Sequence, residues 1–558
     1  MRVFQIVLWL FCTACQLTAA PTPAATVHIP MRDGLELTAD LFYPAGSVIT
    51  NEYPCILIRL PGGRKAESWL HLAELAQHGY VVAIQDTRSA LDPEGKTMPY
   101  VSDGWGVHQD GLDTVNWLAS SSFTNGVIGT LGFSAGGVTQ LMMAPTAPPA
   151  LKCQYIGQAA GSPYHHAIFA GGQFQKNQVE TWLSYYAPHS SVIESVKQQP
   201  FYNQFWQFVD SVSMSHQVEV PAVHYGGWYD PFLQGTIDAF VARQQYGKEG
   251  AKGCQKLLIG PWTHAWPLDM TLGEYPIPEN GRHAPLDISA RRWFDHYLKG
   301  IENHIAEVPE VTYYVMGPVD GSPSSGNIWR HSDVWPVPAV EVPFYLTADK
   351  ALADKIQSKD DVVQFVCDPS NPVPSIGGRN LFLPSGPRDM RSIEARSDVL
   401  VFTTKPFEED TEVTGNLLVK LFFTSNVPDA DISVRMSDVY PDGKSLLVAE
   451  GIVRTGVIPA RAVAKNTPKE VAIDLWSTSL VIAKGHAIRI SISGSDYPHF
   501  EKNLHGALPG DPPVIAKNTI HLGPDYPSRL ILPVVRKGNT WLTAPQPEDQ
   551  AGASETEL

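Results

Sequence analysis

Cysteine is scarce in this chain: six residues among 558, two of which, Cys12 and Cys15, fall in an apolar leader. The remaining Cys55, Cys153, Cys254 and Cys367 are far apart, with no C-x-x-C pair and no His-rich companion. That spacing argues against a zinc site, and Cys55, inside an apolar run, is expected to be a free buried thiol. Basic runs are missing as well. The chain carries 41 Lys and Arg against 57 Asp and Glu, a formal charge of −16. No stretch could neutralise a phosphate backbone, so nucleic acid is not an expected partner. Past the leader, no apolar run is long enough to cross a bilayer, and no integral membrane segment is expected once the leader is removed.

The leader itself reads Met1-Arg2, an apolar run from Val3 to Cys12, then small residues through Ala20. A positive charge, a short apolar core and a small-residue exit predict a secretory signal over residues 1–20, hence a secreted or periplasmic protein. Cys15 after Thr13-Ala14 leaves a lipid anchor open, although Cys12 occupies the place where such sites want leucine. Hydrophobic residues make up 43% and aromatics 10% of the chain, ample for about two or three cores at this length.

From about residue 27 to 147, apolar strands alternate with helical stretches. Tyr53–Leu60, Tyr80–Gln85 and Val127–Leu131 read as strands, and Ser68–His78 and Asp113–Ser120 as helices. Near-continuous apolar strands between helices predict a parallel sheet covered on both faces. Over 148–218 the pattern changes to aromatics among Gln and Ser, which predicts an inserted helical cap. The α/β pattern resumes over 219–325, with strands at Pro221–Tyr225 and Lys256–Gly260 and a helix at Ser289–Lys299. A Pro-rich link from Val319 to Pro343 marks a boundary. Beyond it Leu417, Val419, Leu421 and Phe423 alternate with other residues, as do Ile488, Ile490 and Ile492. Period two predicts an antiparallel β-sandwich over 338–545, followed by a polar, disordered tail over 546–558.

Gly132-Phe133-Ser134-Ala135-Gly136-Gly137 directly follows the apolar run that ends at Leu131. A G-x-S-x-G at the end of a buried strand forms a turn so tight that the serine hydroxyl stands out over the sheet edge. The next residue's N–H is left free for an oxyanion. A serine hydroxyl is a poor nucleophile at neutral pH and needs a base, which in turn needs an orienting carboxylate. Asp230 and His264 each sit just past an apparent strand, in the order Ser, Asp, His that α/β-hydrolases use. Ser134, Asp230 and His264 are therefore the candidate triad.

Several further segments carry a resemblance. Ile29-Pro30-Met31-Arg32-Asp33-Gly34, Asp86-Thr87-Arg88, Gly227-Trp228-Tyr229-Asp230, Gly260-Pro261-Trp262-Thr263-His264 and Arg292-Trp293-Phe294-Asp295 accompany the serine turn. Val413-Thr414-Gly415 and Asp438-Val439-Tyr440-Pro441-Asp442-Gly443 follow in the last domain. With these the chain resembles the CocE/NonD family, the cocaine-esterase and Xaa-Pro dipeptidyl-peptidase superfamily of serine hydrolases, over essentially its whole mature length. The resemblance implies an α/β-hydrolase core with an inserted helical cap, plus a C-terminal all-β, jelly-roll-like sandwich. It also implies that Ser134 is the nucleophile, Asp230 the orienter and His264 the base. No cofactor and no metal are expected.

Two departures from the family pattern stand out. Where the family often has Pro-Tyr-Gly, with the tyrosine in the oxyanion hole, this chain has Pro61-Gly62-Gly63. Ala135 N–H plus a backbone N–H of Gly62 or Gly63 is then expected to bind the oxyanion, unless another tyrosine does, or the glycines serve to widen the acyl pocket. After Asp230 come Pro231-Phe232-Leu233-Gln234, without the carboxylates that hold the ammonium group of an α-amino ester. An Xaa-Pro dipeptidyl-peptidase-like aminopeptidase stays possible through cap acids, with Glu180 and Glu194 the candidates.

Trp105, Trp228 and Tyr229, close to strand ends, and Tyr164 and Trp182 in the cap are the candidate pocket walls. His165-His166 have no third ligand spaced for a metal; His224 reads as a core histidine; His283 and His296 have no motif support. The reading that results is an exported serine hydrolase of carboxylic esters or amides acting through an acyl-enzyme, esters favoured, on a small-molecule substrate. A dipeptidyl-peptidase-like activity is the first alternative, and a non-catalytic surface or carbohydrate-binding protein the second.

Overall fold

The computed structural model describes residues 21–44, 46, 52–266, 272–456, 467–506 and 511–536. The expected signal over 1–20 and tail over 546–558 lie outside them. The first domain is built on a ten-stranded sheet whose strands are β1 (Ala25–Pro30), β2 (Glu36–Phe42), β3 (Cys55–Leu60), β4 (Val81–Asp86), β5 (Ile128–Phe133), β6 (Leu151–Gly157), β7 (Ala222–Tyr229), β8 (Lys256–Thr263), β9 (Val311–Val315) and β10 (Ile328–Ser332). Their order is β1-β2-β4-β3-β5-β6-β7-β8-β9-β10. Every pairing from β4 to β9 is parallel, while β1–β2, β2–β4 and β9–β10 are antiparallel. The sheet is thus mixed at both margins rather than parallel throughout. Its central strands are buried along their length, β3, β4, β7 and β8 at every residue, because helices α1 (Asp110–Ser120), α2 (Ala135–Met143), α5 (Leu233–Tyr246) and α6 (Ala290–Lys299) cover the faces. Helices α3 (Lys176–Tyr186) and α4 (Ser190–Lys197) belong to the insertion. This is the α/β-hydrolase arrangement.

The strand Leu151–Gly157 corrects the expected cap boundary of 148–218. It pairs in parallel with β5 on one side and β7 on the other, so the insertion starts after Gly157. Lys152 and Gln154 hide the strand in the sequence. Lys152 is exposed at its start, and Gln154 is buried with its amide donating to Thr130 Oγ1 and the Gln140 carbonyl. Strand β10 likewise carries the core past residue 325. The inserted segment holds a π-helical turn at Tyr164–Ile168, α3 (Lys176–Tyr186), α4 (Ser190–Lys197) and a short helix at Gln204–Gln207.

The last domain packs a seven-stranded sheet against a four-stranded one. Leu417, Val419, Leu421 and Phe423 from Thr411–Ser425, and Ile488, Ile490 and Ile492 from Ala487–Ser493, are fully buried. The period-two residues therefore supply the inner faces of a β-sandwich. Tyr440–Gly443 closes a hairpin, with Gly443 at φ +85° where a side chain would be strained. The sandwich joins the core edge directly: Met316 N–H donates to Ser479 O at 3.1 Å and Val481 N–H to Met316 O at 2.8 Å.

Candidate active site

Ser134 stands between β5 and α2 at φ +54°, a backbone conformation that costs energy for any residue with a Cβ. The surrounding glycines make it attainable. A Cβ on Gly132 would lie 2.8 Å from the Gly136 carbonyl oxygen, and one on Gly137 would lie 2.7 Å from both Ala159 Cβ and the Gly157 oxygen. The turn is then fixed from the neighbouring strand, because Ser134 N–H donates to Gly157 O at 2.9 Å. Ala135 opens α2, where an N–H has no acceptor within the helix.

His264 and Asp230 arrive from the ends of β8 and β7. Gln158, one residue past β6, donates through its side-chain amide to Thr263 O at 3.0 Å and anchors the approach to His264. Asp230 is fully buried; its Oδ1 accepts the Phe232 N–H at 2.7 Å. His264 Nδ1 lies 3.3 Å and 3.4 Å from the two Asp230 oxygens, and its Nε2 lies 2.9 Å from Ser134 Oγ. A proton on Nδ1, facing Asp230, leaves the Nε2 lone pair aimed at the hydroxyl. Phe232 meets the imidazole edge-on with centroids 5.2 Å apart, which shields the pair from water on that side. The arrangement can take a proton from Ser134 and return it to a leaving group.

Beside Ser134 and Ala135 opens a cavity of about 110 Å³. Its walls come from the 98–101 loop, from Val138 of α2, from Trp182 and Leu183 of α3, from Phe205 and Trp206, and from Leu381 of the sandwich. No carboxylate is among the described residues that line it.

A model described as X-Pro dipeptidyl-peptidase (S15 family) matches residues 33–191 and 178–266, and one described as X-Pro dipeptidyl-peptidase C-terminal non-catalytic domain matches 303–531. The chain is 29% identical to a cocaine esterase of a Rhodococcus species, over 92% of this chain and 99% of that protein. It belongs to the CocE/NonD family and is a serine hydrolase. Two solved structures share the fold. An aminopeptidase of a marine-sediment Thaumarchaeota archaeon superposes with a TM-score of 0.76 at 22% identity, over 94% of this chain and 99% of that one. A CocE/NonD family hydrolase of Staphylococcus aureus superposes with 0.69 at 18%, over 91% and 93%.

Within this member of the family, the residues expected at the pocket divide. Trp182 lines the cavity beside Ser134. Trp228 does not: it is fully buried, its indole donating to Tyr314 O at 2.7 Å. Tyr229 is also buried and donates to Leu447 O of the sandwich. Both belong to β7, which runs on to Tyr229 instead of ending at Tyr225, so they serve the core and the domain boundary. Tyr164 lines a different cavity, and Trp105 packs into the cap cluster without lining the pocket. Leu381 and Phe232 do line it, and the sequence does not single them out: Leu381 comes from a distant domain, and Phe232 belongs to no motif.

Gly63 is not available to an oxyanion, since its N–H donates to Leu60 O at 3.3 Å. Ala135 and Gly62 remain as backbone donors. The space at Gly62 is not open pocket: a Cβ there would lie 2.7 Å from Cε1 of Tyr186, whose ring descends from α3. The candidate ammonium anchors also lie elsewhere. Glu180 pairs with Lys176 and Lys197 at 2.7 Å each, which holds its carboxyl below the usual range against the opposing effect of burial. Glu194 faces solvent. His166 sits between Ser162 N–H and Asp238, and no group of residues fit to hold a metal occurs among the described residues. Burial pushes His224 down to about 3 and Cys55 up to about 12, so both are neutral. Cys55, Cys153, Cys254 and Cys367 are all unpaired. His283 is exposed, and His296 packs on Tyr297.

Proposed function

We propose that this chain is an exported esterase that cleaves carboxylic esters carrying an apolar acyl group, through an acyl-enzyme on Ser134. The observation that carries the reading is His264 Nε2 at 2.9 Å from Ser134 Oγ, backed by the buried Asp230. Ser134 Oγ attacks the ester carbonyl as its proton passes to His264 Nε2. The tetrahedral oxyanion is held by Ala135 N–H and, across the turn, Gly62 N–H. Collapse expels the alkoxide, which takes the proton from His264. A water activated by the same imidazole then releases the acid.

An ester with an apolar acyl group is favoured because the cavity beside Ser134 is walled almost entirely by apolar side chains. A dipeptide's free ammonium would enter that cavity with no carboxylate to meet it, a cost of several kcal/mol. Similarity to an esterase of Rhodococcus supports the same choice. The apolar leader supports export, and the placement of the sandwich against the core favours a role in shaping the site over independent sugar binding.

Intact-mass and peptide mass spectrometry after rapid acid quench of a p-nitrophenyl ester reaction tests this. The expected result is one acyl group on the peptide bearing Ser134 and none in Ser134→Ala. Acylation elsewhere, or turnover that survives Ser134→Ala, overturns the reading.

A further inference from the structure

The C-terminal end of β6 is bonded to each strand that presents a member of the triad. Ser134 N–H, just past β5, donates to Gly157 O at 2.9 Å. Gln158 N–H donates at 2.7 Å to Tyr225 O of β7, the strand that leads to Asp230. Gln158 Nε2 donates at 3.0 Å to the carbonyl of Thr263, which ends β8 immediately before His264. The neighbours Gly157 and Gln158 thus tie together the supports of Ser134, Asp230 and His264. Their fit is close, since a Cβ on Gly157 would collide with the Tyr225 ring.

Strand β8 needs such a tie. Its ladder with β7 holds register through Gly260, breaks at Pro261 and Trp262, and resumes only at Thr263, opposite Tyr229. Trp262 crowds the neighbouring strand there, and a Cβ on Gly227 would collide with its carbonyl oxygen. A bulge re-aims the residues that follow it, and the residue that follows this one is His264. Past the break, the Thr263 carbonyl accepts the Gln158 amide, with the Trp266 N–H farther off at 3.4 Å.

Packing alone would not select glutamine at this position. Gln158 is fully buried and holds φ +46°, where glycine or asparagine is the ordinary occupant. Its Oε1 has no hydrogen-bond partner among the described residues. An apolar side chain would avoid that unmet acceptor, and glycine would relieve the backbone. Neither could donate to Thr263. Gln158 is also not among the residues that line the cavity beside Ser134, so its amide acts on the site only through the strands it joins.

We propose that Gln158 is a positioning residue whose side-chain amide fixes His264 relative to Ser134. The inference rests on the Ser134–Asp230–His264 reading and adds to it the group that holds the base in place after the bulge. His264 acts twice in each turnover, first on the Ser134 proton and then on the attacking water, and Nε2 has to occupy the same place both times. A misplacement of about 1 Å costs on the order of 10²-fold in rate. Because Gly157 holds the Ser134 turn, the adjacent amide references the base to the nucleophile's own support.

The test uses Gln158→Asn and Gln158→Met, assayed on p-nitrophenyl butyrate with active sites counted by exhaustive reaction with a p-nitrophenyl phosphonate. Asparagine suits the backbone but carries its amide a methylene short of Thr263, whereas methionine keeps the length and loses the donor. Each should lower kcat per titrated site roughly 10²-fold. KM should stay within about twofold, because the pocket wall is untouched. In the Ser134→Ala background neither change should lower the residual rate further, since groups that act as a unit are not additive. An unchanged kcat per site in either folded variant overturns the proposal. So does a loss confined to KM or to the number of titratable sites, or failure of both variants to fold, which would make Gln158 a packing residue. Turnover that survives Ser134→Ala overturns the triad reading and this inference with it, whereas Ser134-dependent turnover indifferent to Gln158 overturns this inference alone.

Discussion

The Tyr229 hydroxyl donates to the Leu447 carbonyl at 2.9 Å, across the boundary between hydrolase core and sandwich. Tyr229 is the residue before Asp230, so the sandwich holds the end of the strand that presents the carboxylate of the proposed triad. The same domain sends Leu381 into the wall beside Ser134. The sandwich therefore contributes to the framework of the candidate site.

Tyr229→Phe removes the donor and leaves the Leu447 carbonyl buried and unsatisfied. Urea denaturation should show a loss of about 1–2 kcal/mol, with kcat lowered more than KM is changed, because Asp230 loses its mooring while the pocket is untouched.

Leu381→Ala opens the pocket wall without touching the triad. KM for p-nitrophenyl butyrate should rise several-fold while kcat for the acetate ester stays close to that of the parent. Steady-state kinetics on the two esters provide the check.

Gly62→Ala places a methyl group against the Tyr186 ring, where a Cβ would sit 2.7 Å from Cε1. Ester turnover should fall, and the added change Tyr186→Ala should recover part of the loss. A double-mutant cycle on kcat/KM measures the coupling; simple additivity would mean that the ring does not guard this position.

Much of this was legible in the sequence because it is local. Gly132, Ser134 and the buried run before them specify a strand, a strained turn and a helix within a dozen or so residues. Alternating residues such as Leu417 to Phe423 declare a half-buried strand in the same way. The pocket was less legible. Trp228 and Tyr229 sit beside Asp230 in sequence, yet β7 continues through them and turns both into packing residues, whereas Leu381 reaches the serine only through the docking of a whole domain. Strand Leu151–Gly157 is hidden in the sequence because Lys152 and Gln154 break its apolar run, Gln154 being buried on hydrogen bonds to the core.

Burial holds His224 at about 3 against 6.5 for an unperturbed imidazole. Above pH 6.5 both native and unfolded chains are neutral there. As pH falls below that value the unfolded chain takes up a proton that the native one refuses, so stability is lost progressively toward pH 3. The contribution steepens the acid side of the stability curve by up to about 1.4 kcal/mol per pH unit. His224→Gln, neutral throughout, should show a shallower decline over that window in denaturant melts at stepped pH.

The most direct measurement compares initial rates on p-nitrophenyl butyrate and glycyl-prolyl-p-nitroanilide, with Ser134→Ala as the blank. The expected result is rapid ester hydrolysis, a loss of at least about 10⁴-fold in Ser134→Ala, and no anilide cleavage above that blank. Efficient, Ser134-dependent cleavage of the anilide would contradict the account, since it requires an ammonium anchor that the apolar cavity beside Ser134 does not offer.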